Sequence, residues 1–144
     1  MTSKREQALQ GLFLCLQQGL PAIRVLRNEV LKTAIPEGGL VVLRDGDLGE
    51  PDILLSPPRY IYKHRAEIEV FVQKADSTQR DSAFDQLLMQ IGAALNRAGT
   101  LDGVIDILSL GSPEVLTEPI EGGATIKAAT LPVILEYVTE SPLI

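Results

Sequence analysis

The spacing of apolar residues along the 144-residue chain predicts two helices. The first begins after Ser3, where the sequence Ser-Lys-Arg-Glu matches a capping box in which the serine hydroxyl accepts the amide hydrogen of Glu6. Its apolar positions recur at intervals of three and four residues, as on one face of a helix. They are Leu9, Leu12, Phe13, Leu16 and Leu20. A second helix is predicted after Asp76, with an apolar stripe from Phe84 to Ala98.

Alternation of apolar and polar residues predicts the strands. Between Tyr60 and Gln73 the alternation is typical of a long strand with one face in water. Further strands are predicted at residues 40–43, 104–110 and 126–139, and Pro132 within the last indicates an edge position or a bulge. The expected fold class is α+β: a mostly antiparallel sheet of about four strands with two main helices packed on one face, in the order α-β-β-α-β-β.

Three stretches carry no clear periodicity. Residues 23–31 are predicted to form a short helix or an irregular segment, and residues 45–58 and 114–125 to form long loops. Loops of this length in a small domain are usually functional or mobile. We therefore expect any functional surface to involve the two long loops.

Composition narrows the class of protein. The hydrophobic share of 45% and the charged share of 22% are typical of a folded domain, and the length predicts a single domain over residues 1–144. One cysteine excludes an internal disulfide, and one histidine excludes a His-pair metal motif. The sequence shows no secretory signal and no run approaching the ~20 apolar residues of a membrane span. The expected compartment is therefore the cytoplasm.

Charge is distributed unevenly along the chain. Residues 1–80 contain eleven Lys and Arg against ten Asp and Glu, whereas residues 81–144 contain two against nine. The acidic C-terminal part repels phosphates, so we expect no specific nucleic-acid binding. The asymmetry also permits contact between unlike faces of neighbouring copies. A weaker alternative is single-stranded nucleic acid stacked on the tyrosines that alternate with basic residues over 59–65.

The candidate chemical groups do not form a catalytic motif in the sequence. Cys15 lies in an apolar helix, where an unpaired cysteine is usually buried. His64 stands between two cations that disfavour its protonation, and no partner carboxylate is identifiable. The acidic residues between 45 and 52 begin like a Ca²⁺ loop but lack its twelfth-position Glu. We therefore predict no enzymatic activity, no cofactor and no metal.

The order and texture of the elements carry a resemblance to a known family. The elements that carry it are the amphipathic segment Ala8–Phe13, a strand at Leu40–Leu43 after a Pro/Gly turn, the end of the long strand at Arg65–Val72, the helix Phe84–Leu95 and the strand Ile126–Tyr137. In this layout the whole chain resembles the phage tail terminator family, the group of the lambda minor tail protein U and its gene-transfer-agent equivalents.

The resemblance implies a structural role. Such proteins form a homo-oligomeric ring of six copies at the head-proximal end of a tail tube, end its polymerisation and present a surface for head joining. The implied partners are the tail tube protein and a head–tail connector protein, and the implied location is the virion tail after assembly in the host cytoplasm. Two alternatives stay open: another connector or completion protein of the head–tail joint, and a small acyl-transferase-like or ligand-binding domain.

A ring requires contacts between different faces of neighbouring copies. We predict that these contacts, and those with the tube, involve residues in or beside the two long loops. The predicted interface residues are Arg44, Asp45, Asp47, Glu50, Asp52, Leu54, Arg59, Glu118, Ile120 and Glu121.

Overall fold

A computed structural model describes residues 1–29, 34–119 and 123–144. Within these ranges the chain is α+β and forms two helices and one mixed sheet of seven strands. In chain order the elements are α1 (Lys4–Gly19), β1 (Arg24–Arg27), β2 (Leu40–Asp47), β3 (Asp52–Leu55), β4 (Pro58–Gln73), α2 (Ser77–Asn96), β5 (Ile107–Leu110), β6 (Glu114–Glu118) and β7 (Ile126–Thr139). The strand order across the sheet is β1-β2-β4-β7-β5, with β3 paired to β4 and β6 paired to β7.

The prediction of about four mostly antiparallel strands is wrong. The predicted element order omitted three strands: β1 lies in the stretch expected to be helical or irregular, and β3 and β6 lie in the two expected loops. β1 pairs with β2 in parallel, which makes the sheet mixed. Strands of four or five residues are too short to show a clear alternation, and they depend on backbone pairing with a longer neighbour.

Capping side chains begin both helices. The Ser3 hydroxyl accepts the Glu6 amide hydrogen at 3.2 Å, which confirms the predicted cap of α1. The Glu6 carboxylate does not return to the helix start but binds Arg27 on β1. The Asp76 carboxylate accepts the Gln79 amide hydrogen at 2.9 Å and caps α2.

The long central strand β4 positions the core. Its even-numbered residues from Tyr62 to Val72 are buried beneath the two helices, whereas the odd-numbered residues lie on the opposite face. β4 pairs antiparallel with β7 from Tyr60 opposite Thr139 to Gln73 opposite Ile126. The buried positions of β7 belong to the same core as Leu12 of α1. The alternation seen in the sequence between 60 and 73 is therefore confirmed.

Pro132 lies on an interior strand, so the edge alternative is wrong, whereas the bulge alternative agrees with the one-residue slip in register between the Leu110–Val133 and Glu114–Thr130 pairs. β7 is flanked by β4 on one side and by β5 and β6 on the other. The Pro132 carbonyl accepts the Gly111 amide hydrogen at 2.9 Å, so the proline nitrogen also faces the gap between β5 and β6. No ladder hydrogen bond from the proline is needed there. Gly111 is required as well, because a Cβ at this position would overlap the Pro132 ring.

Candidate interaction surfaces

Exposed hydrophobic side chains concentrate on three short strands. Twelve large hydrophobic residues are exposed in the described part of the chain, and seven of them belong to β3, β5 or β6. These seven are Ile53, Leu54, Leu55, Ile107, Leu110, Val115 and Leu116. Exposed apolar clusters on a soluble domain typically mark interaction sites.

The first cluster belongs to a hairpin that projects from one edge of the sheet. β3 pairs antiparallel with the start of β4, placing Ile53 opposite Tyr60 and Leu54 opposite Arg59. Leu54 is 54% exposed and Leu55 is 81% exposed. We call residues 52–65 the hairpin surface. It contains three basic residues and one acidic residue.

The basic residues of the hairpin surface are available to an external partner. Arg59, Lys63 and Arg65 are all odd-numbered residues of β4, so they share one face, with Ile61 between the first two. Lys63 and Arg65 are exposed and Arg59 is half-buried. None of the three forms an ion pair with another described residue.

The second cluster forms the opposite edge of the sheet. β5 and β6 both pair with β7, and in the described ranges neither has a strand on its other side. Every residue of β6 is exposed, including Val115 at 52% and Leu116 at 56%. We call residues 105–118 the edge surface. Its charged residues are Asp106, Glu114 and Glu118, with no Lys or Arg among them.

An arginine fork holds the end of β2 against the rest of the fold. Arg27 of β1 donates to both carboxylate oxygens of Glu6, at 2.6 and 2.8 Å, and to both of Asp45, at 2.9 and 3.1 Å. The hydrogen bonds from Arg27 lower the pKa of Glu6. Burial opposes ionisation of Asp45, but the hydrogen bonds from Arg27 and Asn28 outweigh it and lower the Asp45 pKa. Both carboxylates are therefore ionised in the folded protein near neutral pH.

His64, the only histidine, is fully buried beside this fork. Its Nε2 lies 2.6 Å from the Asp45 carbonyl oxygen and must donate, since a carbonyl only accepts. Nδ1 therefore accepts the Tyr137 hydroxyl hydrogen, over 3.0 Å. Burial lowers the pKa of His64 and raises that of Tyr137 to about 12, so both groups are neutral near pH 7. Every polar atom of the ring is used within the core.

A bulge in β2 brings the Asp45 carbonyl to His64. The β2–β4 register shifts between Arg44 and Asp47, and Gly46 within the shift has φ +70°. A Cβ at Gly46 would overlap the Arg65 carbonyl, so both the backbone conformation and the close strand approach require glycine. The histidine site and the base of the hairpin surface are thus fixed by the same irregularity.

Of the predicted interface residues at the start of the first expected loop, two form ion pairs within the fold and two are exposed. Arg44 donates to Glu69 at 2.9 Å on the sheet face away from the helices, and Asp45 is held by Arg27. Asp47 accepts the Gly49 amide hydrogen at 3.0 Å, in the exposed connection that also carries Glu50. The stretch 45–58 is therefore not a loop but the end of β2, a short connection and the hairpin.

The remaining predicted interface residues lie mainly on the two surfaces. Asp52, Leu54 and Arg59 belong to the hairpin surface, and Glu118 belongs to the edge surface. Ile120 and Glu121 lie outside the described residues. The geometry thus brings three of the ten together on one hairpin and places a fourth at the opposite edge of the sheet.

Sequence reasoning missed the apolar residues of the edge surface. Val115 and Leu116 fall in the stretch that was predicted to be a loop. The available signal was the sequence Glu-Val-Leu-Thr-Glu, which contains the strand-favouring residues Val and Thr and is flanked by prolines. Its two consecutive apolar residues do not alternate with polar residues as they would in a half-buried strand. Both faces of β6 are exposed, so the segment has no buried face to produce such an alternation.

The remaining chemical candidates are the acidic residues, Cys15 and the tyrosines of β4. Within the described ranges, no group of three or more His, Cys, Asp or Glu is placed to hold a metal. Cys15 borders a groove of about 270 Å³ between α1 and α2, and its thiol donates to the Ala94 carbonyl at 3.3 Å. Burial raises the pKa of this thiol, so it is protonated near neutral pH. Tyr62 is only 4% exposed, which removes it as a stacking platform for nucleic acid.

Comparison with known proteins adds no family assignment. No protein-family model matches the chain, and no curated protein matches it either. In the part of the chain that the structure describes, neither helix has the length and apolar character needed to cross a membrane.

Proposed function

We propose that this protein is a structural tail terminator. It forms a ring at the head-proximal end of a phage or phage-like tail tube, ends tube polymerisation and provides the surface for head joining. The observation that carries the proposal is the pair of exposed apolar surfaces on opposite edges of one sheet, one basic and one acidic. A copy with two unlike adhesive surfaces can contact two neighbours, and such contacts form a ring when the rotation between copies closes.

The layout of the chain supports the same function. The tail-terminator resemblance extends over the whole sequence and requires a small α+β domain that self-associates. The exposed connection between β2 and β3, which carries Glu50 and follows Asp47 at the end of β2, lies beside the hairpin surface. We place the contact with the tube at this connection, since it leaves the two strand surfaces free for neighbouring copies.

Electron microscopy of particles made with and without the gene tests the proposal. Without the protein, tube growth continues unchecked, so we expect overlong tails that lack heads, and wild-type protein supplied in trans restores normal tail length. Normal particles in the absence of the gene would contradict the proposal.

Cys15→Ala serves as a matched variant for the enzymatic alternative. The thiol lines the groove between the helices and lies on neither strand surface. A terminator needs no thiol chemistry, so the variant is expected to restore normal tails fully. A folded Cys15→Ala protein that fails to restore them would favour the acyl-transferase-like alternative instead.

A further inference from the structure

We infer that the hairpin surface of one copy docks on the edge surface of a second copy of this chain. This interface deepens the proposed function and rests on its ring-forming part. It assigns the partner of each surface, because the hairpin surface of every copy then meets the edge surface of the next. The contact is heterologous, as ring closure requires.

Charge selects this pairing over contacts between identical surfaces. The hairpin surface has an excess of basic residues, and all charged residues of the edge surface are acidic. Two hairpin surfaces facing each other would bring Arg59, Lys63 and Arg65 against the same cations, and two edge surfaces would oppose carboxylates. Only the mixed pair places opposite charges together.

The exposed side chains supply the apolar part of the contact. Leu54 and Leu55 project from the hairpin, and Val115 and Leu116 from the edge, all more than half exposed in the isolated chain. Burying such side chains between copies removes apolar area from water, which is the main favourable term in association. The charged residues around them then set orientation and partner choice.

Strand direction is compatible with backbone pairing across the contact. β3 runs antiparallel to β4, whereas β5 and β6 run antiparallel to β7 and hence in the direction of β4. A second copy with its strands in the same direction, displaced along them because β3 lies level with the start of β4 and β6 with its end, therefore presents its β3 antiparallel to β6 of the first. Exposed strand edges with free backbone groups favour this kind of addition.

The faces of the two surfaces also match. Leu54 lies opposite Arg59, an odd-numbered residue of β4, on the face away from the helices. Leu116 lies opposite Ala128 of β7, which in turn lies opposite Phe71 of β4, again on that face. Glu114 and Glu118 alternate with Leu116 and share its face. Copies with their helices on the same side, and displaced along the strands by the distance from Arg59 to Phe71, therefore oppose leucine to leucine and arginine to glutamate.

Crosslinking between two differently tagged copies tests the interface. Both copies carry Cys15→Ala, which removes the only natural thiol. One copy then carries Leu54→Cys and the other Leu116→Cys, with Ile107→Cys as a second partner position on β5. Treatment with a flexible bis-maleimide is expected to give the mixed product in concentrated solution and in assembled particles. The matched control is Met89→Cys on α2, which is 67% exposed but lies on neither surface.

A charge exchange provides a second measurement that does not depend on crosslinker reach. Arg59→Glu with Lys63→Glu is expected to weaken self-association about tenfold, as measured by sedimentation, because two partly exposed charge pairs are lost. Adding Glu114→Lys and Glu118→Lys to the same chain reverses both signs and is expected to restore association. Unchanged association in the first variant, or no restoration in the second, overturns the interface.

The outcomes separate this inference from the proposed function. Mixed crosslinks no stronger than the Met89→Cys control at both partner positions overturn the interface, even if loss of the gene gives overlong tails. Specific crosslinks together with normal particles in the absence of the gene support the interface and overturn the tail-terminator function.

Discussion

The helix-covered centre of the sheet and its two exposed strand surfaces use the same residue types for different purposes. In the centre, Ile68 and Val70 are fully buried and the single histidine has both ring nitrogens bonded. At the hairpin tip, Leu55 is 81% exposed. Apolar area stabilises the fold only where folding removes it from water. The stability of the chain and its proposed self-association therefore depend on different hydrophobic residues.

The largest expected difference between the two regions comes from truncating an apolar side chain in each. Ile68→Ala leaves a cavity beneath both helices and is expected to lower the free energy of unfolding by about 2–5 kcal/mol. Leu54→Ala, on the hairpin surface, is expected to change it by less than about 0.5 kcal/mol. Urea unfolding followed by circular dichroism measures both. Similar losses in the two variants would show that the hairpin belongs to the folding core.

A smaller effect is expected at the arginine fork. Arg27→Ala removes four hydrogen bonds and leaves Glu6 and Asp45 without their shared cation, so we expect a loss of about 1–2 kcal/mol. The matched control is Arg44→Ala, which removes one ion pair with Glu69 and is expected to cost about 0–1 kcal/mol. Thermal or urea unfolding at low salt distinguishes them. An equal loss in both variants would refute a special role for the fork.

The buried histidine makes the centre sensitive to acid. Its pKa is lowered in the folded state, so below the ordinary value of 6.5 the unfolded chain takes up a proton that the folded chain does not. The contribution of His64 to the free energy of unfolding is therefore fully present above pH 6.5. It falls as the pH drops towards the folded pKa, by at most about 1.4 kcal/mol per pH unit.

His64→Gln tests this pH dependence. The glutamine amide can still donate to the Asp45 carbonyl but does not titrate. Comparing urea unfolding at pH 7 and pH 5.5, we expect the wild-type protein to lose stability over this interval and the variant to lose less. An identical loss in the variant would assign the acid sensitivity to other groups. The lowered pKa values of Glu6 and Asp45 act separately, at more acidic pH.

Hydrogen exchange sharpens the comparison without changing the sequence. Amides of β4 between Ile68 and Phe71 lie between two strands under the helices, so their exchange is expected to require global unfolding. Amides of β3 and β6, which pair along one edge in the described structure, are expected to exchange through local opening near zero free energy. Protection of β3 equal to that of β4 in the dilute protein would contradict this.

Long elements were predictable because their periodicity repeats many times. The capping box at Ser3, the cap at Asp76 and the alternation from 60 to 73 all correspond to observed features. The short strands were not predictable, since β3 and β6 have every residue exposed and carry no buried-face pattern. Their assignment to loops led directly to the wrong strand count.

Part of the candidate interface followed from the sequence. Leu54 and Arg59 were selected from the polar and apolar texture of residues 45–58, but their pairing across a hairpin was not foreseen. Val115 and Leu116 were missed, because only pairing with β7 shows them to be on a free sheet edge. The sign of the charge on each surface, by contrast, could be counted directly from the sequence.

By itself, the sequence determined the two amphipathic helices, the long central strand and the acidic bias of the C-terminal part, because each depends on residues close together in the chain. Only the tertiary structure decided that Arg27 joins Glu6 to Asp45, that His64 is neutral, and that the two apolar surfaces lie on opposite edges. These features depend on which distant segments become neighbours, and backbone pairing between strands, rather than local propensity, establishes that.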